Sequence, residues 1–293
     1  MLGLPARDYF NRLNLSPDGK RVVLVILEGG LRHIWVYDTV RGSLTRLTFG
    51  DSDNASPTWS PSGRRIAYAS SRDGNSVILT KPADGSGSEE TLLSAKGGPS
   101  SWSTDGKFLA YSQSGPTGKW EIWVLPLEGE RKPQPLLTDN QFDQVGAVFS
   151  PDGKYLAYTS NESGRYEVYV RPFRQGIGKW QISTVGGANP VWARSGKQLF
   201  YSGSANIMGV DVTTQPVFSA STPRVVVPSG VNRAAFQRPR HFRCRSRWAA
   251  LPGPPAEQRS GPIPPDQCHL ESERGAAAPH SRKQATMTLS CLA

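Results

Sequence analysis

Apolar and polar residues alternate along this chain in short runs, and one ten-residue arrangement of them occurs five times. It is clearest at Phe149-Ser150-Pro151-Asp152-Gly153-Lys154-Tyr155-Leu156-Ala157-Tyr158. It recurs from Leu15 to Leu24, Trp59 to Tyr68, Trp102 to Tyr111 and Trp192 to Tyr201, about every 43 to 47 residues. An aromatic or aliphatic residue ends one short strand and Ser-Pro-Asp-Gly makes the turn. Pro presets φ, Asp hydrogen-bonds the local backbone and Gly accepts a positive φ. A basic residue follows, then a strand alternating large and small side chains, as a sheet packed on both faces requires. Each repeat therefore begins with a hairpin.

The rest of each period predicts a third strand, at Ile34 to Asp38, Val77 to Lys81, Glu121 to Leu127, Glu167 to Phe173 and Ile207 to Val212. A shorter fourth strand is expected at Leu44 to Thr48, Thr91 to Ser94, Gln134 to Thr138, Gln181 to Thr184 and Pro223 to Val227. No period holds apolar residues at i, i+3, i+4, i+7 for long enough to form a helix. Four strands per period of this length describe an all-β chain, a β-propeller of four-stranded antiparallel blades.

The SPDG-K/R-x-I/L-A-Y unit, the I/V-W/Y-V strand and the closing L-T resemble the TolB-type, WD-repeat-like bacterial β-propeller, over Asn11 to about Val227. Similar propellers occur in TolB proteins, in the sensory part of bacterial serine/threonine kinases and in the gating domain of prolyl oligopeptidases. Two turns depart from the unit: Thr104 stands where Pro is expected, and Trp192-Ala193-Arg194-Ser195-Gly196 keeps only the glycine. The repeats resemble those of six-bladed members. Five recognisable blades either close as five or remain an incomplete six-bladed ring; the second is the expectation favoured, an open arc that self-associates and leaves Leu15, Val23 and Ile207 uncovered.

The domain reading is a leader at 1–10, a propeller at 11–230 with blades starting near 11, 55, 98, 145 and 188, and an Arg/Pro-rich tail at 231–293. From Asn232 to Ala293 nine Arg and one Lys face four acids, so this segment supplies +6 of the net +10. Arg238, Arg240, Arg243, Arg245 and Arg247 surround Phe242 and Trp248 there. The tail, expected to be disordered, reads either as a basic arm for nucleic acid or acidic lipid or, the reading favoured, as a shifted reading frame. All three cysteines lie in it (Cys244, Cys268, Cys291), without C-x-x-C spacing. The leader has no apolar run of signal-peptide type, and no stretch approaches transmembrane length. The resemblance implies the cell envelope or periplasm for an intact parent protein.

Catalytic patterns are sparse. The repeats contain one histidine, His33, read as a half-exposed strand-edge residue, and no G-x-S-x-G elbow. Gly176-Ile177-Gly178 reads as a turn. Asp51-Ser52-Asp53-Asn54 opens like a calcium loop but lacks the later Gly and Glu. No cofactor or metal is expected. Trp59, Trp102, Phe149 and Trp192 share one register, as packing between blades demands, whereas Trp120 and Trp180 are candidates for exposed rings.

In a propeller the loops between second and third strands, and those joining blades, open on one face. Arg32, Asp51, Asp53, Arg72, Asp73, Lys119, Asp143, Glu162 and Arg165 fall in these loops. This mixed-sign rim suits a protein or peptide rather than a nucleic acid. Expected function is thus non-catalytic binding or scaffolding. The alternative is a sensory or gating propeller detached from a larger enzyme.

Overall fold

A computed structural model describes residues 13–72, 74–215 and 217–228, together with Arg7 and Tyr9; the tail at 231–293 lies outside the described residues, as does most of the leader. The described residues form five antiparallel sheets and no helix. Blade 1 comprises β1 (Asn14–Leu15), β2 (Arg21–Glu28), β3 (Leu31–Asp38) and β4 (Ser43–Arg46). Blade 2 comprises β5 (Asp53–Trp59), β6 (Arg65–Arg72), β7 (Asn75–Pro82) and β8 (Glu90–Ser94). Blade 3 comprises β9 (Gly97–Trp102), β10 (Phe108–Ser114), β11 (Trp120–Pro126) and β12 (Gln134–Leu137). Blade 4 comprises β13 (Gln144–Phe149), β14 (Tyr155–Ser160), β15 (Glu167–Pro172) and β16 (Trp180–Gln181). Blade 5 comprises β17 (Ala188–Trp192), β18 (Gln198–Ser202), β19 (Ile207–Thr213), β20 (Ser219–Ala220) and β21 (Arg224–Val227), the last two both pairing with β19.

The turns form as their composition dictates. Gly19, Gly63, Gly106, Gly153 and Gly196 take φ between +66° and +75°. Such values favour glycine, which has no Cβ to clash. The Asp18 carboxylate accepts the Ser16 hydroxyl at 2.5 Å and the Lys20 N–H at 3.0 Å, and Asp105 and Asp152 repeat the arrangement. The inner strands β5, β13 and β17 carry β-bulges near Ser56, Gly146 and Asn189, all with positive φ. A bulge bends its strand and increases the local twist.

Adjacent blades are held by apolar side chains from facing sheets. Val23, Val25, Ile34 and Val36 of blade 1 meet Trp59, Ile66, Tyr68 and Leu79 of blade 2. Equivalent clusters join blades 2 and 3, 3 and 4, and 4 and 5. The repeated aromatics sit where packing requires. Trp59 is buried and donates its indole N–H to the Asn14 carbonyl at 2.9 Å, and Trp192 reaches the Val148 carbonyl at 3.3 Å.

Blades 5 and 1 join differently. Around one end of the propeller each turn faces the next: Pro17 meets Gly63, Pro61 meets Gly106 and Pro151 meets Gly196, while Thr104 Oγ1 donates to the Ser150 carbonyl at 3.4 Å. At the last step Arg194, in the proline's place, donates to the Ser16 carbonyl at 3.1 Å and lies over Gly19. The strands of blades 5 and 1 do not pack on each other as those of other neighbours do. Blades 5 and 1 thus touch at the turns, where a long cationic side chain spans the step that proline makes elsewhere. The expectation for Val23 is corrected: strand alternation points it toward blade 2, and it is fully buried. Its neighbours Val22, Leu24 and Ile26 face the other way, packed with Tyr9 and Leu13. Leu15 is exposed as expected and Ile207 is half-buried. Arg194→Ala is expected to cost about 1 kcal/mol in urea denaturation, the scale of one exposed hydrogen bond. An unchanged midpoint would mean the turn contact contributes nothing.

Candidate binding rim

The rim residues divide into partnered and free. Arg32 opens β3, and its guanidinium forms a two-pronged ion pair with Asp53 at the start of β5. The same carboxylate accepts the Arg32 backbone N–H at 2.9 Å. Burial alone would raise the Asp53 pKa, but hydrogen bonds from the Arg32 side chain and backbone, and the guanidinium charge, hold it below the ordinary value.

Asp143 repeats this device two blades on. It is buried, and its Oδ1 accepts the Trp120 backbone N–H at 3.0 Å, so the strand start of blade 3 is tied to blade 4. Its Oδ2 receives the Tyr166 hydroxyl at 3.0 Å and the Asn161 amide at 3.3 Å. Burial first, then the Asp143 charge, push the Tyr166 pKa up to about 12. Asp53 and Asp143 thus act as latches between blades.

Glu162 pairs with Lys179 at 2.8 Å. Arg165 donates through Nε to Glu167 at 2.7 Å and through another nitrogen to the Thr184 carbonyl. Glu167 is fully buried, and it also accepts the Ser183 hydroxyl and the Gly186 N–H, the latter at 2.9 Å. Asp51 is exposed and Lys119 is half-buried. The Arg72 side chain and Asp73 lie outside the described residues. Among the described residues no three His, Cys, Asp or Glu side chains gather as metal ligands.

Two readings of single residues change. His33 is buried at 3% exposure rather than half-exposed, because β3 begins at Leu31 and pairs with both β2 and β4. Its Nδ1 has no hydrogen-bond partner. Trp180 packs on Phe218 and Tyr155 instead of standing free. The sequence reading also missed Phe49, which follows the closing Leu47-Thr48, is 63% exposed and lies between the cations of Arg46 and Lys81.

His33 provides a pH test. Burial first, then Arg46, hold its pKa below the ordinary value, while Glu28 and Asp53 oppose them. The unfolded chain takes up this proton near about pH 6.5 and the folded chain does not. Stability is therefore complete above that pH and falls as pH drops below it. Urea titrations between about pH 7 and 5 should show the decline in the wild-type chain and a flatter profile in His33→Gln. Identical profiles would exclude His33 as its source.

Residues 13–116 match the TolB beta propeller domain family. Two solved structures are similar in fold. A TolB-type structure from Agrobacterium tumefaciens has a TM-score of 0.61 at 17% identity, covering 77% of this chain and 84% of that one. TolB from Acinetobacter baumannii has a TM-score of 0.55 at 22% identity, covering 78% of this chain and 56% of that one. The stretch 13–116 is of the TolB propeller type. A curated relative, the uncharacterized peptidase YuxL of Bacillus subtilis, is 26% identical in a match that covers 53% of this chain and 31% of that protein. The chain spans less than a third of the length of the curated relatives it matches. No helix among the described residues is long and apolar enough to cross a membrane.

Proposed function

We propose that this TolB-type propeller is a binding module for a protein or peptide, without chemistry of its own, working in the cell envelope. The observation that carries this reading is the exposed Phe49 on the connection between blades 1 and 2, with Asp51 beside it, Lys119 and Arg165 on other loops of that face, and cations at its edges. An aromatic ring among charges of both signs has the composition of a protein interface, where aromatic residues contribute most and charges set register. Arg32, Asp53, Asp143 and Glu162 support the rim by fixing its loops. Arg72 and Asp73 belong to the same proposed face by position.

The test is proximity cross-linking in envelope fractions, with a photoreactive group at position 49. A discrete protein adduct that weakens in Asp51→Lys supports the proposal; labelling that is diffuse and indifferent to Asp51→Lys overturns it. A second reading, a gating propeller separated from a peptidase, is favoured by the likeness to part of YuxL. It expects binding to a hydrolase domain encoded beside this chain, and that alone.

A further inference from the structure

The connections from blade 1 to blade 2 and from blade 3 to blade 4 have equal length, so their residues correspond one for one. Leu47 matches Leu137, Thr48 matches Thr138, Phe49 matches Asp139, Asp53 matches Asp143 and Asn54 matches Gln144. On the following blades Tyr68 matches Tyr158, Lys81 matches Arg171 and Glu89 matches Lys179. The two seams share a backbone plan and differ in how their polar atoms are satisfied.

Between blades 1 and 2 the groups that match this set are satisfied within the chain, although Ser70 Oγ is left without a partner. The buried Tyr68 hydroxyl donates to Glu89 at 2.6 Å, the Asn54 amide donates to the Ser52 carbonyl at 2.8 Å, and Lys81 donates to the Leu47 carbonyl at 3.1 Å. Phe49 lies over this seam between Arg46 and Lys81.

Between blades 3 and 4 a cleft of about 510 Å³ runs between the outermost strand of blade 3 and the face of blade 4. Leu136 and Leu137 line one side; Gln144, Tyr158, Glu162 and Arg171 line the other. Asp139 stands at the mouth in the place of Phe49. Gln144 is 4% exposed and Tyr158 1%, yet Gln144 Oε1 and the Tyr158 hydroxyl have no hydrogen-bond partner. Lys179 is engaged by Glu162 and has no acceptor to offer Tyr158 in place of Glu89. Arg171 donates only to the Pro172 carbonyl among the described contacts. Buried polar atoms left without partners are costly, and a bound group that satisfies them recovers that cost.

We propose that this cleft binds a short peptide segment. Its N–H meets Gln144 Oε1, its carbonyl accepts from the Tyr158 hydroxyl and the Arg171 guanidinium, and an apolar side chain lies on Leu136 and Leu137. A peptide group supplies one donor and one acceptor side by side with an apolar side chain, the set this lining lacks. The volume falls within the range of small-ligand clefts. The four lining charges, Asp139, Glu162, Arg171 and Lys179, cancel, so the site favours backbone over a charged side chain. The inference rests on the peptide-binding reading above and places the ligand away from Phe49.

Calorimetric titration of the full chain with acetyl-Gly-Leu-Gly-amide, alongside maltose, tests it. Tripeptide binding should weaken at least about tenfold in Gln144→Leu, the loss when a buried hydrogen bond to the ligand is removed. It should vanish in Asp139→Phe, which closes the cleft as Phe49 closes the other seam. Tyr158→Phe should bind more weakly while melting no lower than the parent, which separates lost recognition from lost folding. Tripeptide binding that survives all three substitutions overturns the cleft and leaves peptide binding elsewhere on the propeller standing. Maltose binding in place of the tripeptide, or no binding of either, overturns the cleft inference, while cross-linking at position 49 still decides the rim independently.

Discussion

Trp59→Ala is expected to lower the unfolding free energy by about 3–5 kcal/mol, the usual cost of emptying a buried aromatic site. The ring is 6% exposed among Val23, Val25, Ile34 and Leu79, with the Arg21 guanidinium 4.8 Å from its centre. Its indole N–H holds the Asn14 carbonyl at 2.9 Å, so truncation opens a cavity and also frees the inner strand of blade 1. For a chain of this size the melting temperature should fall by roughly 10 °C. Trp102→Ala should cost less, because that ring is only half-buried and its indole nitrogen has no partner to lose. Equal losses at the two sites would mean that neither the deeper burial of Trp59 nor its bridge to Asn14 sets the stability of the seam.

The blades were legible because their signals are local. A Ser-Pro-Asp-Gly turn carries its own hydrogen bonds within a few residues, as Ser16, Asp18 and Lys20 show, so sequence pattern and structure coincide there. The third strands were placed to within a few residues for the same reason: their aromatic and β-branched residues need no distant partner to be recognised. The partnered rim was not legible. Asp53 and Asp143 stand at the same offset before Trp59 and Phe149, a regularity visible in the sequence, but what they bind is backbone of the preceding blade. His33 was misjudged because its register, shared with the buried Glu121 and Glu167, becomes clear only once the strands are aligned. The cleft depends on comparing two seams. It follows from an aspartate in the place of a phenylalanine and a lysine in the place of a glutamate, differences that carry no meaning until the repeats are superposed.

Asp143→Ala should destabilise the chain by roughly 3 kcal/mol, because it strands several donors at a buried point between two blades. The Trp120 N–H, the Tyr166 hydroxyl and the Asn161 amide would all lose their acceptor at once. Asp143→Asn should cost about half as much, since Oδ1 still accepts from Trp120 while the new amide meets the Asn161 amide unfavourably. Asp53→Ala removes the corresponding latch and should cost less than Asp143→Ala. Its side chain is about a third exposed, so water replaces part of what Arg32 loses. The order Asp143→Ala, then Asp53→Ala, in denaturant midpoint therefore reports whether the two aspartates hold blades together or stand on the rim awaiting a ligand. A ligand-facing aspartate would be neutral or stabilising when removed, as repulsion among unpaired rim charges is relieved. If Asp143→Ala leaves the midpoint unchanged and instead abolishes partner capture at position 49, Asp143 belongs to the binding surface and the latch account of blades 3 and 4 is wrong.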